Sequence, residues 1–86
     1  MSYEVVLSRK SLKFLGNLSP KDRARIKESL LKLRGNPWSM QYKKLKGHPF
    51  YRIRVGDYRV IYSVDESAKV VYVVRIGRRE NVYKDL

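Results

Sequence analysis

The chain has 86 residues, which is enough for one small domain, residues 1–86, but not for a separate catalytic domain. Its formal net charge of +12 indicates a polyanionic partner, such as nucleic acid or an acidic protein. The absence of cysteine excludes disulfides and thiolate metal sites, and no apolar run reaches the length of a membrane span or signal segment, so we expect a soluble cytoplasmic protein that does not bind membranes.

The first part of the chain predicts one strand and two helices. Residues 3–7 alternate with the period of a half-buried strand. Ser8 can cap a helix that ends at Gly16-Asn17. Ser19 followed by Pro20 is a typical helix start. The second helix then has apolar positions at helical spacing, namely Ile26, Leu30 and Leu33.

The second part predicts a three-stranded antiparallel meander. Gly56-Asp57 is a two-residue turn that closes a hairpin over residues 50–62, whereas residues 36–49 before it read as an irregular connection. Residues 70–76 are nearly all β-branched or aromatic, as is typical of a central strand. The whole order predicts an α+β fold: a strand, two helices and the meander, forming a four-stranded sheet with the helices on one face.

The hairpin places three arginines on one face. Counting outward from the turn, Arg54 lies opposite Arg59, and alternation puts Arg52 on the same side, away from the apolar residues. Like charges directly opposite each other destabilise a sheet. A bound anion would compensate, and guanidinium groups suit phosphate well. The hairpin therefore predicts a phosphate-binding surface.

Further cations are expected to add non-specific attraction for RNA phosphates. If Val64 pairs with Val70, Arg75 lies beside Arg59 on the same face. The predicted RNA-binding residues are Lys43, Lys44, Lys46, Arg75 and Arg78.

Two other residues invite a catalytic or binding role but favour a structural one. His48 is the only histidine and precedes Pro49 in a predicted turn, so it is a poor general base and cannot form a metal site alone. Trp38 is more often part of a core than a platform for RNA bases. We therefore expect neither a metal nor a cofactor.

Two segments carry a family resemblance: LKGHPFYRIRVGDYRVIYSV and VVRIGRRENVYKDL. They resemble the motifs of the RelE toxins of the RelE/ParE superfamily, small mRNA interferases that cleave mRNA in the ribosomal A site. The predicted order of elements is similar over the whole chain. The fold implied by this resemblance is the RelE-like one.

Carried over by position, the resemblance implies a set of catalytic residues: Arg52, Arg54, Arg59, Arg79 and Tyr83. In RelE-like chemistry the ribose 2′-hydroxyl attacks the adjacent phosphodiester. Arg59 and Arg79 would stabilise the developing charge, and Tyr83 would stack on a base or exchange a proton. The best-known members have lysine where this chain has Arg52 and Arg54. Because arginine stays protonated, the general base is left to Tyr83 or to water positioned by ribosomal RNA.

The resemblance also implies partners and leaves alternatives. The protein would be the toxin of a type II toxin–antitoxin system, acting on ribosome-bound mRNA and inhibited by an acidic or amphipathic RelB-like antitoxin. A ParE-like toxin that inhibits DNA gyrase would share the fold, and a non-catalytic RNA-binding module would share the charge. Arg79 and Tyr83 favour the ribonuclease over the gyrase inhibitor, and Tyr83 has no evident purpose in a simple RNA-binding module.

Overall fold

The computed structural model describes residues 2–78, 82–83 and 86. The elements are β1 (Glu4–Leu7), α1 (Arg9–Gly16), α2 (Pro20–Gly35), β2 (Tyr42–Lys44), β3 (Tyr51–Val55), β4 (Tyr58–Asp65) and β5 (Val70–Arg78). Within the described residues the strands form one five-stranded sheet in the order β1-β5-β4-β3-β2. β1 runs parallel to β5, and the other neighbours are antiparallel. The predicted α+β class is confirmed.

Both helices begin where the sequence predicts, and α1 also ends at the predicted Gly16. The Ser8 hydroxyl accepts a hydrogen bond from the Ser11 backbone N–H at 3.1 Å, and the Ser19 hydroxyl accepts one from the Asp22 N–H at 3.3 Å. These caps satisfy backbone donors that a helix leaves free at its N-terminus. No helix in the described part of the chain combines the length and apolar character needed to cross a membrane.

The core lies between the two helices and one face of the sheet. Its α2 residues are the three predicted from helical spacing, Ile26, Leu30 and Leu33. The sheet contributes the apolar hairpin residues and β5, and Tyr62 is fully buried at its centre. Burial raises the pKa of the Tyr62 hydroxyl, which donates a hydrogen bond to the Pro37 carbonyl at 2.9 Å. The opposite face of the sheet does not pack against the helices.

The sheet has one strand more than predicted. Residues 42–44, which the sequence places in an irregular connection, form β2 and pair with residues 51–53 at the edge of the sheet. All three β2 side chains are exposed, so no alternation of apolar and polar residues marks this strand. The four-stranded prediction was wrong because backbone pairing, rather than side-chain burial, makes β2.

The register of β4 with β5 also differs from the prediction. Val64 pairs with Val71, one residue from its predicted partner, and beyond a bulge Arg75 lies opposite Ile61. The predicted placement of Arg75 directly beside Arg59 was therefore wrong. Arg75 stays on the same face, because Ile61 is two residues from Arg59 along β4.

Hydroxyl groups at the start of α1 support this bulge. Val74 has no partner on β4, since the neighbouring pairs involve Val73 and Arg75. Ser8 Oγ donates to the Val74 carbonyl at 2.9 Å, and the buried Ser11 Oγ donates to the Val73 carbonyl at 3.3 Å. The bulge has no sequence signal of its own, because Val74 is one more valine in an apolar run.

Candidate nucleic-acid interface

The sheet face away from the helices carries a cluster of cations. Arg54 of β3 lies directly opposite Arg59 of β4, as predicted from the turn. Gly56 in that turn has φ +61°, a conformation that a side chain would strain. Adjacent strands add further cations to the same side. We call this surface the arginine face and define it by Lys43, Arg52, Arg54, Arg59 and Arg75.

The three predicted RNA-binding lysines near β2 occupy different places. Lys43 lies directly opposite Arg52, on the arginine face. Lys44 belongs to the other side of β2, and its Nζ donates to the His48 carbonyl at 3.4 Å. Lys46 lines a small cavity together with Tyr83 at the edge of the arginine face. Sequence reasoning had no means of separating the three, because it predicted no strand here.

Residues 82–83 lie over the arginine face. Val82 is 6% exposed, and its Cβ lies 3.0 Å from the position that a Cβ on Gly77 would occupy. Gly77 is the β5 partner of Arg59. The missing side chain at Gly77 therefore lets the C-terminal segment approach the sheet beside Arg59. Gly77 directly follows the predicted strand of residues 70–76, whereas β5 continues to Arg78, so no sequence signal marked this close approach.

Two predicted catalytic residues meet on this face. Arg52 Nη1 donates to the Tyr83 hydroxyl oxygen at 3.5 Å. The contact joins β3 to the C-terminal segment, and Tyr83 is half-buried against the sheet. Arg79, the remaining predicted catalytic residue, lies outside the described residues.

Two guanidinium groups of the arginine face have unused hydrogen-bonding capacity. The Nε atoms of Arg52 and Arg59 are buried and have no hydrogen-bond partner among the described residues. Buried polar groups without partners are uncommon and cost free energy. Each of these arginines also faces a like charge, Lys43 and Arg54 respectively. An anion bound here would relieve both deficits, because phosphate offers several acceptor oxygens.

Arg78 lies on the other side of the sheet. Its Nη2 donates to the Tyr58 hydroxyl at 3.0 Å, and its guanidinium lies 5.1 Å from the centre of the Tyr58 ring. The Tyr58 hydroxyl donates in turn to Asp22 Oδ2 at 2.7 Å. The hydrogen bond with Tyr58 raises the pKa of Arg78. Although predicted to bind RNA, Arg78 joins β5 to α2 and does not belong to the arginine face.

His48 and Trp38 both contact other aromatic rings, but Trp38 does not belong to the core that the sequence favoured for it. The His48 ring stacks on Phe50 with an interplanar angle of 9°. Trp38 packs edge-on against Tyr51 and donates from Nε1 to Glu66 Oε2 at 2.9 Å. Among residues 2–78, 82–83 and 86, no cluster of three His, Cys, Asp or Glu could hold a metal ion.

Comparisons with known proteins agree on one family. The family model described as "ParE toxin of type II toxin-antitoxin system, parDE" matches residues 5–83. The RelE1 protein of Methanocaldococcus jannaschii is 34% identical over 99% of each chain. The mRNA interferase toxin RelE of Escherichia coli K12 is 30% identical over 93% of this chain and 86% of its own.

The fold comparison agrees. A chain from the crystal structure of the archaeal RelE–RelB complex of Pyrococcus horikoshii OT3 has a TM-score of 0.80 and 32% identity. The alignment covers 93% of this chain and 98% of that one. Sequence identity over nearly the whole length and a shared fold together establish the relationship. This chain belongs to the RelE toxin family, within the RelE/ParE superfamily of type II toxin–antitoxin toxins.

Proposed function

We propose that this protein is a ribosome-dependent endoribonuclease that cleaves mRNA in the A site and so inhibits translation. The observation that carries the proposal is the contact of Arg52 with Tyr83 on the arginine face, beside the opposed pair Arg54 and Arg59. A phosphate-binding surface with an adjacent phenol has the components needed for phosphodiester chemistry. The proteins named mRNA interferase at 30% identity support the same assignment.

The proposed reaction needs no group from outside the RNA as nucleophile. The ribose 2′-oxygen forms a bond to phosphorus while the bond to the 5′-oxygen breaks. The products are a 2′,3′-cyclic phosphate and a 5′-hydroxyl. A base takes the proton of the 2′-hydroxyl, and an acid delivers one to the leaving oxygen. Arg59, with Arg79 as inferred from the family motif, would stabilise the charge that develops on the phosphorane oxygens.

Tyr83 is our candidate for proton exchange. Neither Arg52 nor Arg54 can serve as a base, because a guanidinium does not deprotonate in proteins. The Tyr83 hydroxyl lies within hydrogen-bonding distance of Arg52, which would keep the phenol next to a bound phosphate. Water positioned by ribosomal RNA remains the alternative base, and it would explain a dependence on the ribosome.

The proposed partners follow from this function. Ribosome-bound mRNA is the substrate, so we expect the protein in the cytoplasm. We also propose a cognate RelB-like antitoxin, because several RelE chains with this fold were solved in complex with RelB. An antitoxin with acidic segments would be attracted to a chain of net charge +12.

One observation favours a second candidate. The matching family model is that of the ParE toxin. A gyrase inhibitor would use the same fold without ribonuclease chemistry. The two functions separate in a direct assay: a gyrase inhibitor blocks supercoiling by purified gyrase and leaves mRNA on ribosomes intact.

The test is primer-extension mapping of mRNA on programmed ribosomes. We expect the wild-type protein to produce cuts within the A-site codon. Arg59→Ala should lower single-turnover cleavage by about 100-fold or more, as loss of one transition-state donor does. Lys32→Ala, on an exposed face of α2, removes the same charge elsewhere and should cleave normally. Intact mRNA with the wild type would refute the proposal, and equal losses in binding and cleavage for Arg59→Ala would indicate simple RNA affinity.

A further inference from the structure

A cleft opens beside the arginine face because β3 extends two residues past the point where β2 begins to pair with it. Tyr42 pairs with Ile53, but β3 continues to Val55. Met40 does not extend β2 and instead packs against the core. The resulting gap between residues 40–43 and residues 52–54 has a volume of about 610 Å³.

The lining of this cleft divides into an apolar and a cationic side. Met40 and Tyr42, which is 43% exposed, provide apolar surface on the helix side of the sheet edge, where the Tyr42 ring also packs edge-on against two other aromatic rings. Lys43 and Arg54 bring positive charge, and Gln41 brings an amide that can donate and accept. Within the described part of the chain, none of the side chains of Gln41, Lys43 and Arg54 takes part in a hydrogen bond or ion pair. These polar groups are thus available to a ligand.

We propose that the cleft binds the nucleobase of a nucleotide adjoining the cleaved phosphodiester. The inference rests on the proposed function, because a ribose–phosphate chain held by Arg52, Arg54 and Lys43 would lead its base toward this gap. The base would lie against Met40 and Tyr42, and the Gln41 amide would hydrogen-bond to its edge. Gln41 would then influence which codons are cut.

A nucleotide fits the cleft better than an acidic peptide does. A nucleotide joins a flat, largely apolar base to an anion, which matches the separation of Met40 and Tyr42 from Arg54 and Lys43. A carboxylate side chain would pair with the cations but would leave the apolar side uncovered. Planar guanidinium groups and an amide are also the groups that commonly read phosphates and base edges.

Two residues that line the cleft can be observed selectively by isotope labelling. Gln41 is its only glutamine, and Met40 is one of two methionines. Protein labelled with ¹⁵N-glutamine and ¹³C-methyl-methionine therefore reports on the cleft through one side-chain amide and one methyl, with Met1 as reference. A second sample labelled with ¹⁵N-arginine reports separately on the arginine face through the Nε–H signals of Arg52 and Arg59. The ligands are a 2′-O-methyl RNA trinucleotide, which cannot be cleaved, inorganic phosphate, and a peptide of aspartate and glutamate.

The three ligands distinguish the outcomes. We expect the trinucleotide to shift the Gln41 amide and the Met40 methyl several-fold more than phosphate does at the same site occupancy. Shifts confined to the Arg52 and Arg59 signals would refute base binding in the cleft. They would still be consistent with phosphate binding on the arginine face and so with the proposed function. No response at either place would remove support from both. A larger response in the cleft to the acidic peptide would assign it to protein binding instead.

A functional measurement completes the test. Gln41→Ala should weaken trinucleotide binding roughly fivefold or more, the lower range for loss of a bidentate base contact. It should also redistribute cleavage among A-site codons, because the amide no longer discriminates base edges. Lys32→Ala serves as the control for the distribution. An unchanged affinity together with an unchanged codon profile would overturn the role of Gln41.

Discussion

Arg54 and Arg59 are direct cross-strand partners at the tip of the β3–β4 hairpin, and both side chains point away from the helices. Like charges in this arrangement cost a sheet stability in the absence of a ligand. The cost is tolerated where substrate binding needs concentrated positive charge. The arginine face is therefore expected to be a place where stability and function oppose each other.

Arg54→Gln tests this opposition. We expect the free energy of unfolding to rise by about 0.5 kcal/mol, because the repulsion with Arg59 disappears. Urea denaturation at low salt measures the change, which should shrink as salt screens the charges. RNA cleavage by the same variant should fall. Lys32→Gln, which removes a charge from α2, should not increase stability; a loss of stability in Arg54→Gln would show that the charge is already compensated within the fold.

Lys43 and Lys44 form a matched pair for testing which side of β2 faces RNA. They are adjacent and identical in charge, but only Lys43 lies opposite Arg52. Lys43→Ala should weaken binding of single-stranded RNA and lower the slope of log affinity against log salt by about 0.7. Lys44→Ala should change both much less. Equal slopes for the two variants would mean that attraction by net charge, rather than the arginine face, governs binding.

The sequence was sufficient to predict the hairpin and its arginines. A two-residue turn leaves little freedom in register, so Gly56-Asp57 determined which side chains share a face. Helix caps and i, i+4, i+7 spacing similarly gave both helices. These are local rules, and they apply before the rest of the fold is known.

The sequence failed where structure depends on distant partners. β2 has no apolar face, so only its pairing with β3 reveals it and brings Lys43 to Arg52. The bulge at Val74 depends on hydroxyl groups of α1 that lie far away in the chain. The cleft at Gln41 results from where β2 begins. Each of these features is a relation between elements, which composition and periodicity do not contain.

Glu66 provides a test of stability against pH. Its carboxylate accepts hydrogen bonds from the Tyr3 hydroxyl at 2.7 Å, from Trp38 Nε1 at 2.9 Å and from Lys69 Nζ at 3.2 Å. These donors, the Tyr3 hydroxyl first, hold the pKa of Glu66 below its ordinary 4.5. The Glu66 carboxylate therefore binds a proton more readily in the unfolded chain than in the folded one. The stability that its ionised form contributes is complete at neutral pH and is lost as pH falls through the lowered pKa.

Glu66→Gln should therefore make the free energy of unfolding depend less steeply on pH in the acidic range. Between about pH 3 and pH 5 the wild-type free energy of unfolding should rise more steeply than that of the variant. Urea denaturation at a series of pH values gives both slopes. Glu28→Gln, on α2, removes a carboxylate elsewhere and is the control for the loss of one negative charge. Parallel curves for wild type and Glu66→Gln would show that the three donors do not favour the ionised carboxylate.

The roles of the Tyr83 ring and of the Tyr83 hydroxyl can be tested separately. The hydroxyl contacts Arg52 Nη1, whereas the ring is half-buried over the sheet. If the hydroxyl exchanges a proton during cleavage, Tyr83→Phe should lower the single-turnover rate by about 100-fold with little change in RNA affinity. Tyr83→Ala should add a loss of affinity, since stacking on one base is worth about 1–3 kcal/mol.

The pH dependence of the two variants completes this test. A proton-transfer role predicts that the pH–rate profile of Tyr83→Phe loses a limb that the wild type shows, because the titrating phenol has been removed. Thermal unfolding of both variants establishes that the fold persists. If Tyr83→Phe cleaves at the wild-type rate while Tyr83→Ala does not, Tyr83 acts by stacking alone. The proton of the 2′-hydroxyl must then pass to water held by the ribosome, which would make the ribosome part of the catalytic site.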